Sequence, residues 1–384
     1  MKGPIELGRV GVRMEFSTET GEPGSATLML HLLGRCNLTC LHCYMGGSPS
    51  RREQLPLKPV LDAIAECEHL GIGALYLTGG EPLLYRDFEK VLQAAERVRR
   101  LKVTVCTNGT LVKEHHIALL KKANAQVNIS VDGEAEFHDR FRNHAGAFSA
   151  TERSMRNIVE AGIPVTIVST ISQGNLHSLA WLVEWAALAG AFEFRVQPLL
   201  KLGRGTDIAD QCLTTQQSNR MLLQLSDLAN TYRPRGLRCS VIGVSRRFIL
   251  AHPCGAYVCN GAGCHRRVSQ EIKKLVVRED GTVLPEITNL SHEFALGKIG
   301  DGSLSLMVER YFEDGYVRLD QLCRSIYTEV LPNWEPAIVP WDQIVAERSH
   351  SWRPRPRTAE ALPGCGDCSL TAASPARLCE PRGS

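Results

Sequence analysis

The sequence predicts an α/β fold in which parallel strands alternate with helices through roughly the first two-thirds of the chain. Three observations predict it: continuous apolar runs of strand length, helical apolar periodicity between them, and connections long enough for parallel βα units. Strands covered by helices on both faces are apolar along their whole length, as these runs are. A partial or full β/α barrel and an open doubly wound sheet both fit this pattern.

The predicted elements can be followed along the chain. Six strands are predicted at 27–33, 74–77, 103–106, 127–131, 164–171 and 192–197. Helices are predicted at 56–70, 87–98, 112–123, 149–161 and 175–189. After about residue 235 the alternation stops. We therefore predict a lead segment over 1–26, a core domain over 27–235 and a C-terminal domain over 236–384.

Composition restricts the class of protein. The chain has 384 residues, of which 43% are hydrophobic and 22% charged, as in ordinary globular enzymes. A net charge of +3 is too small to indicate a nucleic-acid partner. The N-terminus lacks the apolar stretch of a signal peptide, and no run approaches the ~18 apolar residues of a membrane span. Fourteen cysteines without an export signal indicate reduced thiols and metal, so we expect a cytoplasmic protein.

The most informative motif follows the first predicted strand. Cys36, Cys40 and Cys43 have the spacing CxxxCxxC, which places three thiols in one short loop. A cubane [4Fe–4S] cluster normally takes four cysteine ligands, so three would leave one iron open to another ligand. The alternatives are a zinc site, a disulfide that leaves one cysteine over, or chance spacing. His42 could be a fourth zinc ligand, but its place between Leu41 and Cys43 gives poor geometry.

Three further motifs come at the ends of successive strands. They are TGGEP at 78–82, TNGT at 107–110 and SVDG at 130–133. Gly79 and Gly80 permit close approach of the backbone to a ligand, and Glu81 offers a carboxylate acceptor to an ammonium group. Each motif alone is typical of a strand-to-helix turn. Because parallel strands end at one rim, we expect all three beside the cysteine loop.

With CxxxCxxC after the first strand and GGEP after the second, residues from about 27 to 204 resemble the radical S-adenosylmethionine (radical SAM) enzymes. LTGGEPLL, CTNGTL, SVDG and HDRFRNHAGAF are similar to the branch with a C-terminal SPASM or twitch extension, which includes peptide maturases, sulfatase maturases and haem-pathway enzymes. The resemblance implies a partial (β/α)6 TIM-like barrel. It also implies that SAM chelates the open iron, that one electron cleaves it, and that a 5′-deoxyadenosyl radical removes a hydrogen from the substrate.

The resemblance also implies a set of SAM-binding residues. Gly79, Gly80 and Glu81 match the segment that lines the methionine amino group, and Tyr44 matches an aromatic residue near the adenine. The matches to ribose or carboxylate contacts are Asn108, Ser130 and Asp132. Arg195 on the sixth strand is a further candidate, unless it only closes a buried polar network.

Eight cysteines follow residue 235: Cys239, Cys254, Cys259, Cys264, Cys323, Cys365, Cys368 and Cys379. They are predicted ligands of one or two auxiliary [4Fe–4S] clusters in a SPASM/twitch-like domain, with an unliganded thiol as the alternative for Cys239, Cys323 and Cys379. VVREDGTVLPE and FALGKI resemble the hairpin region of such domains. The chain departs from the family at Pro285-Glu286, where many members have Pro-Cys, and in its C-x2-C-x10-C tail. Cys67 and Cys106 are expected to be small core residues.

The sequence leaves three functions open. The first is a peptide-modifying enzyme that makes a crosslink, an epimer or a thioether, because extended cluster domains mostly serve peptides. The second is a small-molecule enzyme acting on a tetrapyrrole, sugar or other metabolite. The third is a multi-cluster electron-transfer protein, which would not need the GGEP segment.

The expected partners follow from these functions. Because only about 26 residues precede the first strand, a peptide substrate would need a separate leader-binding protein. The resemblance implies an electron donor such as flavodoxin or ferredoxin. We expect no nucleic-acid or membrane partner.

Overall fold

The computed structural model describes residues 15–17, 26–251 and 272–353. The strands are β1 (Glu15–Ser17), β2 (Ala26–His31), β3 (Ile72–Thr78), β4 (Lys102–Thr107), β5 (Gln126–Ser130), β6 (Val165–Ile171), β7 (Glu193–Pro198), β8 (Arg238–Ile242), β9 (Val244–Ser245), β10 (Lys274–Val277), β11 (Thr282–Pro285), β12 (Gly297–Lys298) and β13 (Ile338–Val339). The α-helices are α1 (Leu57–Ala65), α2 (Phe88–Glu96), α3 (Glu114–Lys122), α4 (Ala135–Arg142), α5 (Ala147–Glu160), α6 (Leu179–Leu188), α7 (Thr215–Tyr232), α8 (Arg246–Ala251), α9 (Leu304–Arg310), α10 (Tyr316–Glu329) and α11 (Trp341–Ser349).

The main sheet has the strand order β1-β8-β7-β6-β5-β4-β3-β2-β10-β11-β12. The strands from β2 to β8 are parallel to their neighbours and follow one another in both space and sequence. A doubly wound sheet reverses its strand order at a switch point, whereas a β/α barrel does not. Within the described residues β1 and β12 end the sheet without pairing with each other, so the barrel is partial. The predicted partial barrel is thus confirmed, with all six predicted strands present.

The predicted helices are present with shifted ends, and two in the core region were not predicted. The helix predicted at 56–70 ends at Ala65, where a series of turns begins. The unpredicted α4 is short and highly charged, so its apolar period is hard to see. The other, α7, begins with a capping box in which Thr214 and Gln217 each bond the other's backbone N–H.

The described residues after 235 extend the barrel sheet on both flanks. On one flank β8 pairs in parallel with β7, and on the other β10 pairs in parallel with β2. β10 and β11 form the antiparallel hairpin that the sequence suggested, and β12 pairs with β11. A single hydrophobic core includes Leu30 of β2, Val241 of β8 and Leu319 of α10. The residues on either side of position 235 therefore share one core.

Two of the eight C-terminal cysteines lie in the described segments. Cys239 on β8 and Cys323 on α10 are buried in the hydrophobic core. The remaining six lie outside the described residues: Cys254, Cys259, Cys264, Cys365, Cys368 and Cys379. In the described segments, no helix is both long and apolar enough to cross a bilayer.

Candidate cofactor site

A cavity opens at the carboxyl ends of the parallel strands, and residues of β2 to β8 and of several loops that follow them form its wall. It is lined by Met29, Cys36, Cys40, His42, Cys43, Tyr44, Met45, Tyr76, Thr78, Gly79, Gly80, Cys106, Thr107, Asn108, Asn128, Ser130, Arg142, Val168, Thr170, Arg195, Gln197, Leu200 and Ile242. The sequence motifs after the first four predicted strands all contribute residues to this wall. Cys106, expected to be a core residue, also faces the cavity, whereas Cys67 is fully buried in the core as expected.

The three cysteines of the loop after β2 are unpaired and line this cavity together. Cys36 and Cys40 are buried, and Cys43 is half-buried. Burial raises the pKa of the Cys36 thiol to about 12. Burial also raises the pKa of Cys40, against the opposing effect of the Arg142 charge. Both thiols are therefore protonated in the metal-free protein, and binding of a metal as thiolates would release their protons.

N–H groups are directed at two of the three sulfur atoms. The backbone N–H of Leu38 donates to Cys36 Sγ at 3.4 Å, and Asn108 Nδ2 lies 3.9 Å from the same sulfur. Arg142 Nη1 donates to Cys40 Sγ at 3.8 Å. Such donors stabilise negative charge on sulfur, which is the charge of a metal-bound thiolate.

The two glycines of GGEP are required by packing against the cysteine loop. Gly80 N–H donates to Leu33 O at 2.7 Å, and Glu81 N–H donates to Arg35 O at 3.0 Å. A Cβ at Gly80 would lie 2.1 Å from Arg35 O, and one at Gly79, whose φ is +134°, would lie 2.5 Å from Leu33 O. The close backbone approach expected of these glycines is therefore an approach to the cysteine loop, made in the wall of the cavity.

Glu81 does not line the cavity, and both of its carboxylate oxygens have protein partners. Oε1 accepts from Thr107 Oγ1 at 2.8 Å and from Leu83 N at 3.3 Å, and Oε2 accepts from Asn108 N at 2.9 Å. Burial raises the pKa of Glu81 to about 7, although these hydrogen bonds act to lower it. The carboxylate thus ties the loop after β3 to the end of β4, a different position from the one expected for an acceptor of a ligand ammonium group.

Asp132 is also fully buried behind the cavity wall. Its Oδ2 accepts from Arg142 Nε at 2.7 Å, and its Oδ1 accepts from Thr170 N at 2.9 Å. Burial acts to raise the pKa of Asp132, but the Arg142 charge, together with smaller effects from His42, His138 and the Thr170 N–H, holds it below its usual value. Asp132 is therefore an ionised partner of Arg142, and the sequence alone did not indicate this pair.

The other predicted SAM-binding residues do line the cavity: Tyr44, Asn108, Ser130 and Arg195. Asn108 is held in place because its Nδ2 donates to Asn37 Oδ1 at 3.0 Å. Arg195 Nη2 donates to Glu193 Oε2 at 2.9 Å, and Ser240 Oγ donates to Glu193 Oε1 at 2.6 Å. Arg195 thus faces the cavity and also belongs to a buried polar network, and its contact with SAM stays a prediction.

Arg204, which sequence reasoning missed, holds the cysteine loop from the segment after β7. Its Nε donates to Cys40 O at 2.8 Å and its Nη2 donates to Gly47 O at 2.9 Å. The neighbouring Gly203 packs so closely that a Cβ there would lie 2.5 Å from Cys43 O. An arginine between two glycines, in LGRG, was the only local signal for this contact.

His42 lies in the cavity wall with its ring stacked on Phe141 at 4.1 Å between centroids. Its Nε2 is 3.8 Å from Asp132 Oδ2, and burial lowers the pKa of His42 to about 3. Among the described residues, no three His, Cys, Asp or Glu side chains are grouped closely enough to hold a single metal ion. A cubane cluster differs in that each cysteine binds its own iron.

Comparisons with known proteins agree with this geometry. The profile of the radical SAM superfamily matches residues 30–179. The sporulation killing factor maturation protein SkfB of Bacillus subtilis is 32% identical over 179 residues, covering 46% of this chain and 43% of SkfB. An AdoMet-dependent heme synthase of Nitratidesulfovibrio vulgaris is 28% identical over 220 residues, covering 56% of this chain and 59% of the synthase. The chain thus spans about half the length of these curated relatives.

The fold is also similar to that of solved structures. The crystal structure of Streptococcus suis SuiB bound to the precursor peptide SuiA has a TM-score of 0.62 at 16% identity, covering 77% of this chain and 66% of SuiB. At this identity the likeness concerns the fold alone. The stretch that matches the radical SAM profile, residues 30–179, carries the cysteine loop and most of the cavity wall, and the cofactors of that superfamily are a [4Fe–4S] cluster and S-adenosylmethionine.

Proposed function

We propose that this chain cleaves SAM at a [4Fe–4S] cluster held by Cys36, Cys40 and Cys43, and that it modifies a peptide. One observation carries the first part: three unpaired thiols line a single cavity with the backbone of Gly79 and Gly80. The donor set fits the cluster, because thiolates are its usual ligands and N–H groups are directed at two of these sulfurs. One further cysteine, Cys106 on β4, lines the same cavity but lies outside the loop that carries these three.

When bound, the cluster supplies the electron that cleaves SAM and so yields the radical that removes a hydrogen from the substrate. The chain's own contribution is binding, orientation and exclusion of water. We assign Gly79, Gly80 and Tyr44 to SAM binding, with Asn108, Ser130 and Arg195 on the facing walls of the cavity. Glu81 and Asp132 act from behind the wall by fixing the loops that carry these groups.

Product analysis tests the SAM-cleaving part. Anaerobically reconstituted protein, given a strong reductant and SAM, should release 5′-deoxyadenosine. Cys36→Ala, Cys40→Ala and Cys43→Ala should release none, whereas Cys67→Ala, which alters a buried cysteine in the core, should retain the activity. Absence of 5′-deoxyadenosine from the wild type would favour an electron-transfer protein and contradict the proposal.

The proposed peptide substrate has support from two similar proteins. SuiB has been crystallised with a precursor peptide, and SkfB is named as a maturation protein. A short peptide encoded beside the gene should change mass when incubated with the reduced enzyme and SAM, in the presence of any leader-binding protein encoded nearby. An unchanged peptide mass, under conditions in which 5′-deoxyadenosine forms, would contradict the peptide assignment alone.

A small-molecule substrate is the second candidate, and the match to a heme synthase favours it. Titration of the protein with tetrapyrroles, followed by visible absorbance, tests this candidate. A saturable spectral change together with substrate-stimulated 5′-deoxyadenosine formation would replace the peptide assignment.

We further propose a SPASM/twitch-like extension with one or two auxiliary clusters in the region after residue 235. Its support is the cysteine count of that region and the β10–β11 hairpin. At the end of the hairpin, where many family members have cysteine, Glu286 accepts a hydrogen bond from Lys273 N, so it is part of the hairpin's own hydrogen bonding. Cys254→Ala or Cys259→Ala should lower the iron content while substrate-free SAM cleavage survives in part. Unchanged iron in both variants would contradict the auxiliary clusters.

A further inference from the structure

We propose that Arg142 and Asp132 form an oriented ion pair that raises the reduction potential of the cluster, with the guanidinium acting on Cys40 and the carboxylate opposing it from behind. This inference rests on the proposed binding of the cluster by Cys36, Cys40 and Cys43. Neither residue is proposed to react. Both are positioning residues that act through the Cys40 sulfur.

The Arg142 guanidinium is buried beside the cysteine loop. Arg142 is the last residue of α4, yet its side chain is buried and lines the cavity. Its Nη1 donates to Cys40 Sγ at 3.8 Å. A buried charge is costly unless it is paired, so a guanidinium in this position needs a nearby anion.

Asp132 is that anion, and its own contacts fix it on the far side of the guanidinium. Arg142 Nε donates to Asp132 Oδ2 at 2.7 Å, whereas His42 Nε2 is 3.8 Å from the same oxygen. Oδ1 accepts from Thr170 N at 2.9 Å. The Asp132 carbonyl oxygen accepts from Asn175 Nδ2 at 2.7 Å. Because Thr170 on β6 holds the carboxylate and Asn175 holds the backbone of the same residue, the positive end of the pair faces the sulfur.

The orientation has an electronic consequence. Reduction adds one negative charge to an iron–sulfur cluster, and nearby positive charge and N–H donors to its sulfurs stabilise that charge. Burial strengthens this effect because water does not screen the guanidinium. The carboxylate acts in the opposite sense from a greater distance. The two members of one pair should therefore shift the potential in opposite directions when each is neutralised.

A purely structural role for the pair makes a different prediction. If Arg142 only ties the end of α4 to the loop after β5, loss of either partner weakens the same contact. Both single variants would then change stability or iron loading in the same direction and leave the potential unchanged. The sign of the potential shift therefore separates the two roles.

The test is a redox titration of the reconstituted cluster without SAM, followed by EPR of the reduced form. Arg142→Gln should lower the midpoint potential of the cluster. At a fixed solution potential we expect a ratio of reduced to oxidised cluster that is tenfold smaller than in the wild type, which corresponds to a downward shift of about 59 mV for one electron. Asp132→Asn should raise the potential. The double variant, which restores a neutral pair, should lie between the two.

Two additional variants keep the test decisive. Arg142→Lys retains the buried positive charge but loses the planar guanidinium group. This variant should assemble a cluster even if Arg142→Gln does not, and its midpoint potential should fall by less than that of Arg142→Gln. Arg324→Gln neutralises one member of an ion pair on α10, with Asp320, that does not line the cavity, and it should leave the potential unchanged.

The outcomes distinguish this inference from the proposed function. A wild type without a cluster would overturn both. A wild type with a cluster, but with shifts of the same sign or no shift in Arg142→Gln and Asp132→Asn, would overturn this inference alone. An Arg142→Gln effect confined to the spectral response to added SAM would also overturn it, because that result makes Arg142 a ligand of SAM.

Discussion

Cysteines in two regions of the molecule have contrasting surroundings. Cys36 and Cys40 lie in a loop at the rim of the barrel, where N–H groups are directed at their sulfurs and a cavity lies beside them. Cys239 and Cys323 lie on a strand and a helix, within the hydrophobic core and away from that cavity. Burial raises the thiol pKa in both regions. Burial alone therefore does not distinguish the two regions, whereas N–H donors to sulfur beside a cavity do.

The largest expected difference between the two regions is in iron binding. Removing any one thiol of the rim loop, as in Cys40→Ala, should abolish the first cluster, a loss of about four irons per chain. Cys323→Ala should leave the iron content unchanged, because we expect this buried thiol to be a core residue. Iron and sulfide quantification on anaerobically purified protein checks both. Iron loss in Cys323→Ala would show that Cys323 is a ligand of an auxiliary cluster, and the contrast between rim and core cysteines would not hold.

The next effect concerns the backbone that supports the rim loop. Gly80→Ala would place a methyl group 2.1 Å from Arg35 O, a backbone atom that cannot move without displacing the loop. We expect about 3 kcal/mol of destabilisation, as for severe overpacking, and reduced cluster loading. Urea unfolding of the metal-free protein and iron content are the measurements.

Gly46→Ala is the matched control for this substitution. Gly46 lies in the rim loop itself, between β2 and α1, with φ at +64°, and a Cβ there would have no heavy atom within 4 Å. It should cost only the strain of a left-handed residue, about 1 kcal/mol, with cluster loading retained. Equal losses in both variants would show that the close contact at Gly80 is unimportant.

A smaller effect is expected at His31, a buried polar residue of β2 that precedes the rim loop. Neither ring nitrogen has a hydrogen-bond partner among the described residues. Burial, with smaller effects from Arg278 and Lys274, lowers its pKa to about 3. Since the unfolded state binds the proton more tightly, this residue costs stability as the pH falls from 6.5 toward 3, by about 2 kcal/mol at pH 5.

His31→Leu should remove this part of the pH dependence. Urea midpoints of the metal-free protein at pH 5 and pH 7 measure it. The variant should lose less stability than the wild type between these two values. An identical loss in both proteins would contradict the buried, neutral state of His31.

The smallest expected effect is on the stability of the protein when the core cysteine Cys323 is changed to serine. Cys323→Ser keeps the size of the side chain but buries a hydroxyl where the thiol is fully enclosed. We expect about 1 kcal/mol of destabilisation from the buried hydroxyl, measured by urea unfolding. A serine as stable as the cysteine would show that the site offers a polar partner and is not simply apolar.

The sequence predicted the features that depend on local pattern. Continuous apolar runs identified the six barrel strands, and the rim position of the motifs followed from parallel topology. It did not reveal contacts between residues far apart in the chain. Arg204 reaching Cys40, or Arg142 paired with Asp132, leaves no periodic signal. The position of Glu81 was mispredicted because it too depends on contacts between distant residues. We expected its carboxylate to face a ligand, whereas its hydrogen-bond donors include Thr107 and Asn108 at the end of β4.

The central claim is that Cys36, Cys40 and Cys43 hold a [4Fe–4S] cluster with one iron open to SAM. The most direct measurement is EPR of the anaerobic, reduced wild-type protein before and after addition of SAM, with metal analysis of the same sample. We predict about four irons for this cluster and a changed EPR spectrum when SAM is added. Bound zinc in place of iron, or a spectrum that SAM does not perturb, would contradict it.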